Sequence, residues 1–209
     1  MMLYLFRHGK SHANVARLVT GTPADPLTDD GLAQAAAMHR WLKQTDLRAQ
    51  RFFTSNWLRA QQTAQCLFPD ADWAIDFRLG ETNAGSVANW PLDTFVEAYP
   101  DFHGNNGTCY PDGESHEALN RRVLEWLHEL LDTTRMTEHV VVVAHSGPIA
   151  CLVQHVLGIG MDRFPALLPA HASLTAIEFA DDARRRAIVK TFSLTPAETA
   201  GPMLNPARR

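Results

Sequence analysis

The stretch HVVVVAHSG, residues 139–147, constrains the fold of this 209-residue chain more than any other feature. Successive side chains of a strand point to opposite faces of its sheet, so consecutive valines bury both faces. Strands covered on both faces are typical of parallel sheets that lie between two layers of helices. The valine run therefore predicts a central strand of an α/β protein.

Strand and helix patterns alternate along the rest of the chain. Further strands are predicted at residues 3–6, 51–55, 173–179 and 187–194, the last two as a hairpin across a charged turn. Helices are predicted at residues 29–44, 56–68, from about 114, and 148–158. We expect a three-layer α/β/α sandwich with a mostly parallel central sheet and a small cap insertion.

The apolar spacing within the predicted helices indicates which faces are buried. In the first helix, Thr28 is the expected N-cap and Leu32 lies on the apolar face with Ala35 and Leu42. The last helix is expected to open at Pro148 and to end at Gly158. The capping and terminating residues set the predicted boundaries of these helices.

Composition limits the classes of partner. A formal net charge of −4 and a pI near 6.2 argue against nucleic acid, whose binding depends on clustered Lys and Arg. The basic residues 184–186 are interpreted as a solvated turn. The N-terminal MMLYLF has neither a basic leader nor a small-residue cleavage site, and no segment approaches the ~18 apolar residues of a membrane span. We expect a soluble, cytoplasmic protein that binds neither nucleic acid nor membrane.

Length and cysteine usage predict the domain organisation. Domains commonly run ~100–200 residues, so we expect one domain over residues 1–209. It would carry a cap insertion at about 82–118, with its aromatic residues packed inward, and an irregular tail at about 195–209. Cys66, Cys109 and Cys151 are odd in number and widely spaced, which fits neither a disulfide framework nor a zinc site. We expect reduced thiols, two of them buried.

Reactive side chains follow three of the predicted strands. Arg7 and His8 end the first strand, Arg59 comes one turn after the second, and His145 ends the valine strand. Ligands collect beyond the carboxyl ends of the strands in such sheets, so these side chains are expected to converge. Guanidinium groups match phosphate oxygens, and a neutral imidazole is a competent nucleophile toward phosphorus. The pattern indicates phosphoryl chemistry.

The same side chains lie in motifs that resemble those of the histidine phosphatase superfamily, the phosphoglycerate-mutase-like group. The string RHGKSHANVARLVTGTPADPLTDDGLAQA resembles the signature of that family. The segments TSNWLRAQQTA, RLGET, PDGES and VVVVAHSG are similar to its later motifs, in the same order. Together these segments span roughly residues 3–179.

The resemblance implies a role for each matched residue. His8 would be the nucleophile that becomes phosphorylated, and Glu81 the general acid that later acts as base toward water. The phosphate-binding residues would be Arg7, Asn14, Gly21, Arg59, His145 and Ser146. The mechanism implied in this way needs no cofactor and no metal.

Three other interpretations remain open. His8 and His12 have a spacing that could bind a metal from one helix face, but no further Cys/His pair or acidic cluster accompanies them. The stretch AHSGP resembles the serine elbow of α/β-hydrolases, although Ala144 and Pro148 occupy its two glycine positions. A protein that binds phosphorylated ligands without turning them over is the third alternative.

Within the family, the sequence favours a phosphatase over a phosphomutase. Mutases of this group generally carry a larger insertion after the acidic residue and usually continue the first motif with Trp-Asn, where this chain has Ala13-Asn14. The length and the PDGES helix are similar to bacterial phosphatases of small metabolites, including the α-ribazole phosphate phosphatases. We expect a phosphomonoesterase for a small phosphorylated metabolite, with a homodimer left open. Lys10, where the family commonly has Glu or Gln, predicts a more positive pocket entrance.

Overall fold

The computed structural model describes residues 1–180 and 186–196, and at position 103 the backbone alone. The described strands are β1 (Met2–Arg7), β2 (Arg51–Thr54), β3 (Trp73–Ile75), β4 (His139–Ala144), β5 (Leu174–Phe179) and β6 (Ala187–Leu194). They form one sheet in the order β3-β2-β4-β1-β5-β6. The pairs β1–β4, β2–β4 and β2–β3 are parallel, whereas β5 is antiparallel to β1 and β6. The prediction of an α/β fold with a mostly parallel sheet is confirmed.

The helices connect these strands. The described α-helices are α1 (His12–Val15), α2 (Asp29–Leu42), α3 (Leu58–Leu67), α4 (Leu92–Ala98), α5 (His116–Thr133) and α6 (Ser146–Leu157). Thr28 caps α2 as expected, because its hydroxyl accepts a hydrogen bond from the Gly31 amide. Helix α6 begins at Ser146 and not at Pro148, since β4 ends at Ala144 and His145 is already the N-cap. The strand and helix therefore meet closer to the histidine than predicted.

The valine strand separates two hydrophobic cores, one on each face of the sheet. Val140 and Val142 pack with residues of α5 and α6, whereas Val141 and Val143 pack with residues of α2 and α3. This alternation gives the three-layer arrangement that the valine run predicts. On α2 the buried residues include Ala35, Met38 and Leu42, while Leu32 is 42% exposed. The placement of Leu32 on the core face was wrong.

Two further sequence expectations need correction. Strand β3 was not predicted, because it is short, lies at the sheet edge and exposes Ile75 to 60%. The three cysteines are unpaired, but only Cys151 is fully buried; Cys66 is partly covered and Cys109 exposed. The expectation of two buried thiols was wrong.

The segment predicted as a cap has its own small core. Ala84, Val87, Phe95, Phe102 and Tyr110 are buried in one cluster. The segment's aromatics do not all point inward, since Trp90 and Tyr99 are each more than one-third exposed. The boundaries 82–118 and the single-domain organisation stay predictions.

Some predictions fall on residues that the structure leaves out. Of the predicted tail, residues 197–209 lie outside the described residues, as do positions 184 and 185 of the basic turn. Within the part of the chain that is described, no helix has the length and apolar character required to cross a bilayer.

Candidate active site

The register of the sheet brings three strand ends to the same edge. Arg7 lies opposite Ala144 in the parallel pair of β1 and β4. The His8 amide donates to the Ala144 carbonyl at 3.0 Å, and the Ser55 amide to the Val143 carbonyl at 3.2 Å. The residues that follow these strands therefore gather at the carboxyl edge of the sheet, where ligands of α/β proteins bind.

His8 is held as a neutral imidazole, with the proton on one ring nitrogen and a lone pair on the other. Its Nδ1 lies 2.6 Å from the Gly9 carbonyl, so Nδ1 carries the proton and donates it. Its Nε2 accepts a hydrogen bond from Arg59 Nε at 3.1 Å. Burial, followed by the charges of Arg59 and Arg7, lowers the pKa of His8 well below 6.5. The nitrogen that faces Arg59 is therefore the one that carries the lone pair.

Arg59 is buried and fixed on several sides. Its guanidinium pairs with Asp25 at 3.2 Å, donates to the Thr20 carbonyl at 3.0 Å and stacks 4.4 Å above the Trp57 ring. Asp25 is itself anchored by the Ala13 amide at 3.0 Å. Sequence reasoning assigned Asp25 no role, although it lies within the signature string. Its carboxylate orients the arginine.

Arg7 is anchored by the loop that precedes β5. One terminal nitrogen donates to the Pro169 carbonyl at 2.6 Å, and the other lies 2.9 Å from His171 Nε2. The Nε of Arg7 is buried and has no hydrogen-bond partner among the described residues. Burial is the main cause that lowers the pKa of Arg7 to about 10, so the side chain is still charged at neutral pH. A buried cationic N–H of this kind is suited to an anion.

His145 lies beside His8, with 4.9 Å between the ring centroids. Its Nε2 is 2.7 Å from the Ser55 hydroxyl oxygen, which also accepts from the Trp57 amide at 3.2 Å. We assign the Ser55 hydrogen to His145 Nε2, which places the proton of the imidazole on Nδ1. That Nδ1 is buried without a partner among the described residues. Burial, then Arg59 and His8, lowers the pKa of His145 well below 6.5.

Glu81 comes from an irregular segment after the 3₁₀ turn Phe77–Leu79. Its carboxylate accepts from the Thr82 amide at 3.0 Å, from the Ser146 hydroxyl at 3.0 Å and from the Gly147 amide at 3.2 Å. A Cβ at position 147 would lie 2.2 Å from this carboxylate, so a larger residue there would displace Glu81. Ser146 thus contacts Glu81, and its predicted contact with phosphate stays a prediction.

One arginine of α5 fixes the segment that carries Glu81. Arg122 donates to the carbonyls of Arg78, Gly80 and Glu81 at 2.6, 3.0 and 3.0 Å. It also binds both carboxylate oxygens of Glu114, at 3.0 and 2.6 Å. All five N–H donors of the guanidinium are thereby used. Sequence reasoning missed Arg122, because it lies in a charged stretch of an amphipathic helix.

Asn14 and Gly21 lie around the arginines. The Asn14 side-chain oxygen accepts from the Ser11 amide at 3.1 Å and lies 3.0 Å from His171 Nε2. Gly21 has a φ of +72°, which favours glycine, and a Cβ there would lie 3.3 Å from Arg59 Nη1. Both residues thus border the site, and their predicted contacts with phosphate stay predictions.

The residues around the site do not form a metal centre in the described part of the chain. No group of three or more His, Cys, Asp or Glu side chains is arranged there to hold an ion. His12 is exposed on α1, and His8 uses both ring nitrogens within the site. The His8–His12 pair therefore does not form a ligand set.

The geometry defines the class of site. Two cationic guanidinium groups and the neutral imidazole of His145 lie around the Nε2 lone pair of His8, and a carboxylate lies nearby. Such a site suits a tetrahedral oxyanion that carries a transferable group.

Comparison with known proteins identifies the family. Residues 3–190 match the family model described as histidine phosphatase superfamily (branch 1). A Yersinia pestis protein named "Probable phosphoglycerate mutase GpmB" is 30% identical over 180 residues, which cover 82% of this chain and 78% of that protein. The chain belongs to the histidine phosphatase superfamily, as the sequence motifs predict.

Solved structures show the same fold. The α-ribazole phosphatase of Shigella flexneri superposes with a TM-score of 0.83 at 23% identity, covering 93% of this chain and 96% of that one. A mycobacterial glucosyl-3-phosphoglycerate phosphatase superposes with a TM-score of 0.81 at 24% identity, covering 93% and 99%. These neighbours support the assignment of the fold. The substrates in their names are those of the neighbouring proteins.

Proposed function

We propose that the protein is a phosphomonoesterase that hydrolyses a small phosphorylated metabolite through a phosphohistidine intermediate. The observation that carries this proposal is the state of His8. Its Nδ1 proton is held by the Gly9 carbonyl, and its Nε2 lone pair faces Arg59 Nε. A neutral imidazole with a fixed lone pair in a cationic pocket is arranged for attack on phosphorus.

In the first step, His8 Nε2 forms a bond to phosphorus while the bond to the ester oxygen breaks. Arg7, Arg59 and the Nδ1–H of His145 bind the equatorial oxygens, whose charge they balance in the transition state. Glu81 enters this step in its protonated form, gives the proton to the departing oxygen and becomes a carboxylate as the alcohol leaves. Glu81 then removes a proton from water, which attacks the phosphohistidine and releases inorganic phosphate with His8 neutral again.

The serine interpretation has weaker support in this geometry. The Ser146 hydroxyl donates to Glu81, and no hydrogen bond joins it to a histidine among the described contacts. The base in hydrogen-bond reach of Ser146 is Glu81, the group that the proposal assigns to the leaving oxygen. The Nε2 atom of His8, with its fixed lone pair, is better arranged for attack than the Ser146 hydroxyl.

A phosphomutase is the second candidate, because a relative at 30% identity carries that name. The two reactions share the first step and differ in what attacks the phosphohistidine, which is water in one and a substrate hydroxyl in the other. The compact segment after Glu81 favours water. The third candidate is a protein that binds a phosphorylated ligand without turning it over.

The test is turnover of a panel of phosphomonoesters in ¹⁸O-labelled water. The panel includes p-nitrophenyl phosphate, 3-phosphoglycerate, and sugar and nucleoside phosphates. A hydrolase releases phosphate with one solvent oxygen in each molecule. A mutase instead yields an isomeric phosphate ester without solvent oxygen, and that result would contradict the proposal. Phosphate binding without turnover of any ester would favour the binding protein.

The remaining parts of the proposal are a cytoplasmic location and independence from metals. The three unpaired cysteines support a reducing compartment. The cationic groups of the site support charge neutralisation by side chains. Net negative charge supports a small-molecule partner over nucleic acid.

A further inference from the structure

His171 is a third histidine at the edge of the site, in the loop of residues 169–173 that precedes β5. Its ring centroid lies 5.7 Å from that of His8. Its Nε2 lies 2.9 Å from a terminal nitrogen of Arg7 and 3.0 Å from the Asn14 side-chain oxygen. The described contacts include no other hydrogen bond of this imidazole. The ring therefore lies next to the proposed phosphate-binding residues, although the sequence analysis did not include it among them.

The loop that carries His171 is tied directly to the end of β1. The Ala172 amide donates to the His8 carbonyl at 3.1 Å, and the Arg7 amide donates to the Ser173 carbonyl at 3.1 Å. Ala172 is buried and has a φ of +50°, a left-handed conformation that is unfavourable for a non-glycine residue. Strained backbone of this kind persists where the surrounding structure fixes it. The loop thus holds His171 at a set position relative to Arg7.

The contact with Arg7 requires a lone pair on His171 Nε2. A guanidinium has only donors, so the nitrogen that meets it must accept. The Asn14 oxygen is fixed as an acceptor by the Ser11 amide, and a proton on His171 Nε2 would suit Asn14 but repel Arg7. Burial, followed by the charges of Arg7, Lys10 and Arg59, lowers the pKa of His171 to about 4. The imidazole is therefore neutral at neutral pH, and in its Nδ1–H tautomer it has a lone pair on Nε2 for Arg7.

We infer that His171 is a positioning residue, which accepts a hydrogen bond from Arg7 and so directs the remaining N–H groups of that guanidinium toward phosphate. Pro169 and His171 hold the two terminal nitrogens of Arg7, which leaves the buried Nε without a described partner. This inference rests on the proposed phosphate-binding role of Arg7. His171 acts through Arg7 and makes no bond to the reacting phosphorus.

The first test compares phosphate affinity between variants with and without an acceptor at position 171. His171→Phe keeps a ring and removes the acceptor, so it should weaken binding of inorganic phosphate by about 10-fold, the value of one charge-assisted hydrogen bond. His171→Asn and His171→Gln keep an acceptor oxygen, and one of them should restore affinity to within about threefold of the native protein. The matched control is His128→Phe, an exposed histidine on α5 away from the site. Equal losses in Phe, Asn and Gln variants would overturn the inference.

A double-mutant cycle tests whether the effect passes through Arg7. In an Arg7→Ala background, His171→Phe should change phosphate affinity little, because its target is gone. Additive losses would contradict a positioning role. Circular dichroism and thermal unfolding of each variant show whether the comparison concerns folded protein. If the Phe variant does not fold, His171→Ala replaces it, because alanine also lacks a side-chain acceptor.

The tautomer of His171 provides a test without any ligand or turnover. ¹⁵N–¹H correlation spectra at pH 7 should show Nδ1 protonated and Nε2 unprotonated, with the signals assigned by their loss in His171→Asn. A protonated Nε2 would overturn the inference. If no ester is hydrolysed but the tautomer and the phosphate affinities follow these expectations, then the proposed hydrolysis fails while the role of His171 stands.

Discussion

The two halves of the site are held in place by different means. The phosphate half, Arg7, His8, Arg59 and His145, lies on strand ends and one helix, and the register of β1, β2 and β4 fixes three of its anchor points. The proposed acid half, Glu81 with Glu114 and Arg122, lies in an irregular segment whose carbonyls accept from one guanidinium. The Glu81 carboxylate also accepts from Ser146 and Gly147. The proposed phosphate-binding groups are thus positioned by the sheet, whereas the proposed acid is positioned by side chains and an irregular segment. The two should therefore be separable by mutation.

The largest separable effect is expected from Glu81→Gln. An alkoxide leaving group needs its proton in the transition state, whereas a nitrophenolate leaves almost unaided. The variant should slow hydrolysis of an alkyl phosphate by ~10²–10⁴-fold, spare p-nitrophenyl phosphate to a large extent and leave inhibition by phosphate little changed. Steady-state kinetics with both substrates measure the split, with exposed Glu125→Gln on α5 as control. Equal losses on both substrates would mean that Glu81 is not the acid.

Arg59→Ala tests the phosphate half. It removes the donor to His8 and a fixed cation, so both substrates should slow together by ~10²–10³-fold and phosphate should inhibit less. Arg59→Lys should rescue little, because an ammonium cannot reproduce the contacts with His8, Asp25 and Thr20. Unchanged phosphate inhibition in Arg59→Ala would contradict the assignment of this half.

Arg122→Ala tests whether acid positioning rests on one side chain. Loss of the three carbonyl contacts should displace Glu81, which would slow alkyl phosphate hydrolysis by ~10–100-fold and p-nitrophenyl phosphate hydrolysis much less. The neighbouring Arg121 is exposed, so Arg121→Ala is a matched control. A folded Arg122→Ala protein without this difference between substrates would show that Glu81 is held in another way.

The smallest expected effect is that of metal removal. Because side chains supply the positive charge in the phosphate half, EDTA followed by dialysis should leave turnover unchanged. Activity that is lost and then restored only by a divalent cation would show that the site needs an ion.

The comparison of the two halves also explains what sequence reasoning could reach. His8 and His145 were predictable, because each follows an apolar strand whose carboxyl end carries function in α/β proteins. Asp25 stood in the signature string, yet its contact with Arg59 depends on a loop and a helix that are 34 residues apart in sequence. The motif therefore included Asp25 but did not indicate that its partner is Arg59.

Arg122 and His171 were beyond the reach of local patterns. Arg122 follows Arg121 on a helix whose exposed face is charged, so its inward contacts arise only from how α5 packs beside residues 78–81. His171 lies in an irregular segment and meets Arg7 from 164 positions away. Strand β3 was missed for a similar reason, since its short, exposed edge sequence lacks the alternation that marks a strand.

The central claim is that His8 carries the phosphoryl group, and trapping that intermediate tests it most directly. Turnover of a ³²P-labelled ester, quenched in alkali, should yield a protein-bound phosphate that survives base and is lost in acid, and peptide mapping should place it on His8. His8→Ala should abolish both the label and phosphate release, whereas His12→Ala should retain both. A base-labile label on Ser146, or phosphate release that persists in His8→Ala, would contradict the account.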